Sequence, residues 1–256
     1  ANLVGGYARA HMNEIGAWAK DTNPEGLGEV VASALSRGDQ REISSLIYYL
    51  LRAYIHDSPD PSGQRMNEVR AFERQQGLVH LSGPGRFDVD AQLVELSKLK
   101  VEHLDPELRV PGVEQLIKSD AVLLNIDYPL GMAAYHLLSR VGQGVGELRG
   151  VYVMGKAATL NGRVGDVMLS NTVYDEHSHN TFLFRNALAA SAVKPYLKHG
   201  SVFDNQAAVT VLSAFLQNKN YMNSLYRRGY TVLEMEAGPF LSAIYELSSP
   251  RKVPSD

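Results

Sequence analysis

The chain has 256 residues, enough for one large domain or two modest ones, and its 45% hydrophobic and 21% charged residues are ordinary for a globular protein. A formal net charge of −3 argues against a nucleic-acid footprint, and no apolar run is long enough to cross a bilayer. The absence of cysteine excludes disulfides, thiolate catalysis and cysteine-ligated zinc, and makes a cytoplasmic location the simplest expectation. The first residue is Ala, not Met, and the run ANLVGGYARAHMNEIGAW lacks the basic start and apolar stretch of a secretory signal.

Taken in order, the first 78 residues read as helical. Residues 28–37 and 41–56 carry apolar side chains at three- and four-residue intervals, with Leu46, Ile47, Leu50, Leu51 and Tyr54 on one stripe. The Tyr48, Tyr49 and Tyr54 rings in this stretch read as helical core or a helix–helix interface, not as a base-stacking platform. Asp57-Ser58-Pro59-Asp60-Pro61-Ser62-Gly63 breaks the pattern, and a short helix over 64–75 follows. Residues 77–81 predict a strand, 88–102 a helix, and 120–126 a continuous apolar strand. A helix over 132–140, a glycine-rich loop at Gly142, Gly144 and Gly146, and strands at 150–155 and 164–170 come next. Helices are expected at 207–217 and 219–228, then a strand at 230–235 running into another helix.

Strand, helix and strand in that order predict an α/β fold with an at least partly parallel sheet. The expected division is a helical region over 1–78 and an α/β domain over 79–256. The Gly142–Gly146 loop follows a helix and precedes a strand, the wrong order for a dinucleotide fingerprint.

Three segments carry chemistry. Val151-Tyr152-Val153-Met154-Gly155-Lys156-Ala157-Ala158, followed by Gly165-Asp166-Val167, combines an apolar run with small residues that let a backbone approach a ligand. Leu233-Glu234-Met235-Glu236-Ala237-Gly238 joins a strand to a helix through two acids. Between them in type is Tyr128-Pro129-Leu130-Gly131-Met132-Ala133-Ala134-Tyr135, a turn entering a helix of small residues. In their order and spacing these segments resemble the nucleoside phosphorylase superfamily, which includes purine nucleoside and uridine phosphorylases and nucleosidases. The resemblance spans roughly residues 120–245.

The resemblance implies a phosphorylase-like mixed sheet flanked by helices, and cleavage of the N-glycosidic bond of a nucleoside or nucleotide. It implies that Met235 packs on ribose, that Glu236, the catalytic residue, accepts hydrogen bonds from its hydroxyls, and that Glu234 supports it. Phe215 would stack on the base, and Gly155, Lys156 and Ala157, with Arg86 from Gly83-Pro84-Gly85-Arg86, would form a phosphate or water site. Phosphate is a possible co-substrate and no other cofactor is implied. The partners are a small-molecule nucleoside or nucleotide and, by resemblance, further copies of the chain; no nucleic acid, membrane or metal is expected.

Two departures from the family qualify this reading. Lys156 stands where the family has Ser or Thr. The family also continues past the Glu-Met-Glu-Ala helix to a Ser-Asp step whose Asp protonates the base, whereas here the helix is followed by Ser248–Asp256. A truncated chain, missing segments or a lost acid all remain open, so a catalytically inactive nucleoside-binding protein and an oligomeric scaffold stand as alternatives. His177 and His179 share one face of an extended chain; a solvated loop outweighs a metal site there, since no third ligand is evident, and both rings are candidates to line the pocket.

Overall fold

In a computed structural model of the chain, the described residues are 3–22, 26, 28–30, 33, 40–56, 63–83, 89–104, 108–213 and 218–248. They fall into two compact units, Ala1–Asp127 and Tyr128–Asp256. The boundary falls at 127/128 and not at the expected 78/79, because the strands Leu78–Leu81, Ala91–Glu95 and Val122–Ile126 form a small sheet in the same unit as the helices before it.

The first unit opens with helices α1 (Leu3–Ala10), α2 (Met12–Thr22), α3 (Gln40–His56) and α4 (Gln64–Gln75). The last two match the periodicity of the sequence. Tyr7, Ala8, Ile15, Ala19, Leu50, Leu51, Tyr54 and Val69 form one buried cluster. Each large side chain so buried contributes about 1.5–3 kcal/mol. Tyr54 anchors it: its hydroxyl donates to Glu14, its ring meets Trp18 edge-on at 5.3 Å, and the Arg65 guanidinium lies 3.9 Å above it.

Strands β1 (Leu78–Leu81), β2 (Ala91–Glu95) and β3 (Val122–Ile126) form an antiparallel sheet in that order. The helix expected over 88–102 is thus a strand followed by short 3-10 turns at Leu96–Lys98 and Val101–His103. The physical reason lies in Leu93 and the β-branched Val94, paired between Val79 and Leu78 on one side and Leu124 and Leu123 on the other, and in Gly77. Its positive φ of 84° lets the chain turn, and a Cβ there would meet Lys98 Cβ at 2.7 Å and Glu95 O at 2.9 Å.

The second unit contains α5 (Ala133–Gly144), β4 (Ala158–Thr159), β5 (Val167–Asp175), β6 (Thr181–Leu183), α6 (Ala190–Val193), β7 (Val202–Thr210), α7 (Lys219–Arg227), β8 (Val232–Glu234) and α8 (Ala237–Ser248). Its five-stranded sheet has the order β4-β8-β7-β5-β6, with β5, β7 and β8 parallel and the outer two antiparallel. A mixed α/β sheet is therefore present, and β7–α7–β8 is its βαβ unit. Side chains alternate across it. Val209, Val211 and Leu233 pack with Leu225 of α7, while Val173, Ala208 and Val232 face Leu241 of α8.

Three expectations for this unit are corrected. Residues 207–210 end a strand, not a helix. A run such as Ala207–Leu212 suits either, and the β-branched Val209, Thr210 and Val211, buried between two parallel neighbours, decide for the strand. Residues 150–155 are an exposed coil, and β8 finds its edge partner in β4 instead, so their backbone groups join no ladder. Residues 142–144 continue α5. At Gly142 α8 approaches closely: a Cβ would lie 2.3 Å from Cδ1 at the tip of the Leu247 side chain.

Candidate functional site

The three parallel strands end in one row of polar side chains. Asp175 of β5 is in register with Thr210 of β7, and Thr210 with Glu234 of β8. Asp175 and Thr210 are fully buried. In open α/β sheets ligands bind outside this carboxyl edge. Helix α8 starts over the row. The backbone N–H groups of Glu236 and Ala237 each donate to Glu234 Oε2 at 2.6 Å, and Gly238 N donates to Thr210 Oγ1 at 2.8 Å. The Thr210 hydroxyl in turn donates to Glu234. Glu234 is therefore the capping acid of α8, meeting N–H groups that a helix start leaves unpaired. Burial pushes its carboxyl upward, and the neighbouring charge of Glu236 adds to this. The bonds from Ala237, Thr210 and Glu236 only partly offset the rise.

Glu236 is in a different position. It is half-buried, and its Oε1 accepts from Gly131 N at 3.3 Å. Gly131 has φ 54° in the turn that enters α5. Tyr128–Tyr135 and Leu233–Gly238 are two of the three segments singled out in the sequence, and this hydrogen bond brings them together. Met235 packs on the opposite face, half-buried against the cluster of Val209, Val211, Leu225 and Leu233.

On its other side the Gly131 turn faces His177. A Cβ at Gly131 would lie 3.9 Å from His177 Nε2. His177 sits in a tight turn closed by Asp175 N donating to Asn180 O at 2.9 Å. Asp175 Oδ1 accepts from His177 N at 3.1 Å and from His177 Nδ1 at 2.9 Å, while Oδ2 accepts from Ser178 N at 3.2 Å and Ser178 Oγ at 2.6 Å. Burial alone would raise the Asp175 carboxyl; these four bonds outweigh it and hold the group below its ordinary range. An ionised Asp175 can only accept, so Nδ1 carries the hydrogen and Nε2 is turned toward the turn and cleft. The Ser178 hydroxyl is spent on Asp175 and not on the histidine, which is not the geometry of a serine nucleophile.

A cleft of about 520 Å³ opens here, lined among others by Met132, Tyr135, His177, Phe182, Leu212 and Tyr245. That volume suits a small organic ligand. Glu246 lines it too and accepts from the Tyr135 hydroxyl at 2.7 Å. His179, with φ 58°, is exposed and lies 3.3 Å by its Nδ1 from the Tyr174 hydroxyl. His177 thus lines the cleft and His179 does not appear among its walls. No group of three or more metal-ligating side chains occurs among the described residues.

The remaining expected site residues are not gathered here. Gly155, Lys156 and Ala157 lie in the exposed coil, and nothing stands within 4 Å of where a Gly155 Cβ would be. Arg86 and Phe215 lie outside the described residues. Sequence reading missed Thr210 and gave Asp175 no structural role. The available signal was an acid closing an apolar strand, as in Val173-Tyr174-Asp175 and Val232-Leu233-Glu234.

Fold and site together define an α/β protein with a cleft beside the carboxyl edge of its parallel strands. The whole chain, residues 1–256, matches the model of a family described as a family of unknown function (DUF6909), and the protein belongs to that family. No curated protein and no solved structure matches it. Among the described residues no helix is long and apolar enough to cross a membrane.

Proposed function

We propose that the second unit binds a nucleoside or nucleotide and cleaves its N-glycosidic bond. The observation that carries the reading is the placement of Glu236. Of the two acids in the Glu-Met-Glu-Ala segment, Glu234 is committed to capping α8, while Glu236 is half-exposed at the Gly131 turn, where His177 also points. A carboxylate so placed accepts hydrogen bonds from vicinal sugar hydroxyls and stabilises positive charge on the ring as the bond to the base breaks. Met235, expected against the ribose, packs instead on the opposite face against Val209, Val211, Leu225 and Leu233, so the sugar contact rests on Glu236. The base would enter the cleft between α5, α8 and the β5–β6 turn, against Phe182, Leu212 and Tyr245.

Base release from a panel of nucleosides and nucleotides, with and without phosphate, followed by chromatography, tests the reading. Release without phosphate means hydrolysis, and release only with it means phosphorolysis. Removing one key electrostatic contact costs about 3–4 kcal/mol, so Glu236→Ala should lose about a hundredfold or more. Full activity in that variant, or no release from the wild type, refutes the proposal. One observation favours a second reading, binding without cleavage: the Gly155–Ala157 segment expected to hold phosphate or water is exposed coil. Tight nucleoside binding without base release would select it.

A further inference from the structure

Departure of a nucleobase requires a proton on its ring nitrogen as well as stabilisation of the sugar, and an acid able to give one must face the cleft. His177 does. Its side chain is only 17% exposed, and Nε2 is directed toward Gly131, the residue whose N–H holds Glu236. The ring cannot turn freely, because Asp175 accepts from both its Nδ1 and its backbone N–H. Asp175 is itself immobilised by Ser178 and by the start of α8: a Cβ on Gly238 would lie 2.5 Å from Asp175 Cβ. A buried carboxylate on Nδ1 orients the ring and fixes which nitrogen faces the cleft.

We infer that His177 is the proton donor to the departing base and that Asp175 is its positioning residue. This rests on the reading of the site as one for N-glycosidic cleavage. As the C1′–N bond breaks, its electron pair passes to the base nitrogen, which takes the proton from protonated Nε2. Water then forms its bond to C1′ and gives a proton to Nε2. Free base and ribose leave, and the imidazolium is restored. Among the described residues, the titratable groups around this ring are Asp175 on its own turn, Glu236 bonded to Gly131 N, and Tyr135 of α5 with Tyr245 and Glu246 of α8, which line the same cleft.

The test compares two substrates of the same sugar: inosine, whose base needs protonation, and p-nitrophenyl β-D-ribofuranoside, whose leaving group departs unaided. General acid catalysis contributes about 10²–10⁴-fold, so His177→Gln should lose at least about a hundredfold on inosine and less than about tenfold on the aryl riboside. Glu236→Ala should lose activity on both. Asp175→Asn should follow His177→Gln in its selectivity at smaller amplitude. Retained turnover of the aryl riboside shows that His177→Gln is folded. Equal losses on the two substrates in a His177→Gln protein with the wild-type circular dichroism spectrum overturn the role of His177 while leaving glycosidic cleavage standing. A wild type that cleaves neither overturns the cleavage reading and this inference with it.

Discussion

Gly238→Ala should destabilise the second unit although it replaces glycine by a better helix former. The added Cβ would stand 2.5 Å from both Cβ and Cγ of Asp175 and 2.7 Å from Oδ1. Carbon atoms sit comfortably at about 3.5–4.0 Å, so roughly 1 Å of displacement is needed. Asp175 cannot supply it cheaply, since it is fully buried and accepts four hydrogen bonds. Nor can the start of α8 move without stretching Gly238 N to Thr210 Oγ1, now 2.8 Å. Overpacking of this kind costs about 1–3 kcal/mol, and each charge-assisted bond lost from Asp175 adds about 1.5–3 kcal/mol. Against this, alanine gains at most about 1 kcal/mol of helix propensity. The net expectation is a loss of roughly 2 kcal/mol, read as a urea midpoint lowered by about 1 M in circular dichroism. Gly142→Ala is the control. Its Cβ meets only the tip of Leu247, at 2.3 Å from Cδ1, and that side chain can rotate, so its midpoint should stay within about 0.5 M of wild type. A Gly238→Ala midpoint equal to or above wild type would mean that α8 does not rest on Asp175.

Other consequences follow from the same network. Thr210→Val keeps the shape of a fully buried residue but removes the donor to Glu234 and the acceptor for Gly238 N, and should cost about 2–3 kcal/mol in urea unfolding. Tyr221 donates to Glu176, which also accepts from Leu212 N at 3.0 Å, and burial followed by that bond pushes its phenol up to about 12. Tyr221→Phe should lower stability by about 1.5–3 kcal/mol and remove a late-ionising tyrosine from the alkaline absorbance titration. Asp175 and Glu234 should give opposite pH dependences. Asp175 is held below its ordinary range, so its contribution is present above the unfolded value of about 3.9 and lost as pH falls through the folded one. Glu234 is raised, so its contribution is present below about 4.3 and lost as pH climbs through the folded value. Urea midpoints of wild type, Asp175→Asn and Glu234→Gln between about pH 3 and 7 separate the two.

Much of the helical part was legible because it depends on local patterns. Gln64–Gln75 has breaker residues before it and a glycine after it, and the Leu50, Leu51 and Tyr54 stripe forms the buried face that its spacing implies. The sheets were less legible, because a strand is made by its partners. Ala207–Thr210 becomes a strand only between β5 and β8, and Val151–Met154, with an equally apolar sequence, does not become one where no ladder takes it up. The site was visible only as separate words. Nothing in the spacing of Gly131 and Glu236, 105 residues apart, tells that one donates to the other. The pairing of Asp175 with His177 was nearer the surface of the sequence, since an acid two residues before a histidine at a strand end can reach both its backbone and its ring.

The two acids of Glu234-Met235-Glu236 then become distinguishable in a way that their spelling does not allow. They are two residues apart across the end of a strand, yet one is saturated by Thr210, Glu236 N and Ala237 N and the other meets Gly131 N. If saturation marks a structural role and half-exposure a ligand-facing one, the amide substitutions should separate along different axes. Glu234→Gln keeps an acceptor for the α8 N–H groups but replaces the carboxylate, and should shift stability by about 1–2 kcal/mol with the affinity of the folded protein for ligand little changed. Glu236→Gln keeps an amide oxygen for the Gly131 N–H at 3.3 Å, so the melting temperature should scarcely move, while a nucleoside gripped through its hydroxyls by the carboxylate should bind at least about tenfold more weakly. Calorimetric titration of both variants with one nucleoside, beside their unfolding curves, reads both axes at once. A Glu236→Gln protein that melts early and binds as wild type would reverse the two roles and remove the basis for placing the sugar at the Gly131 turn.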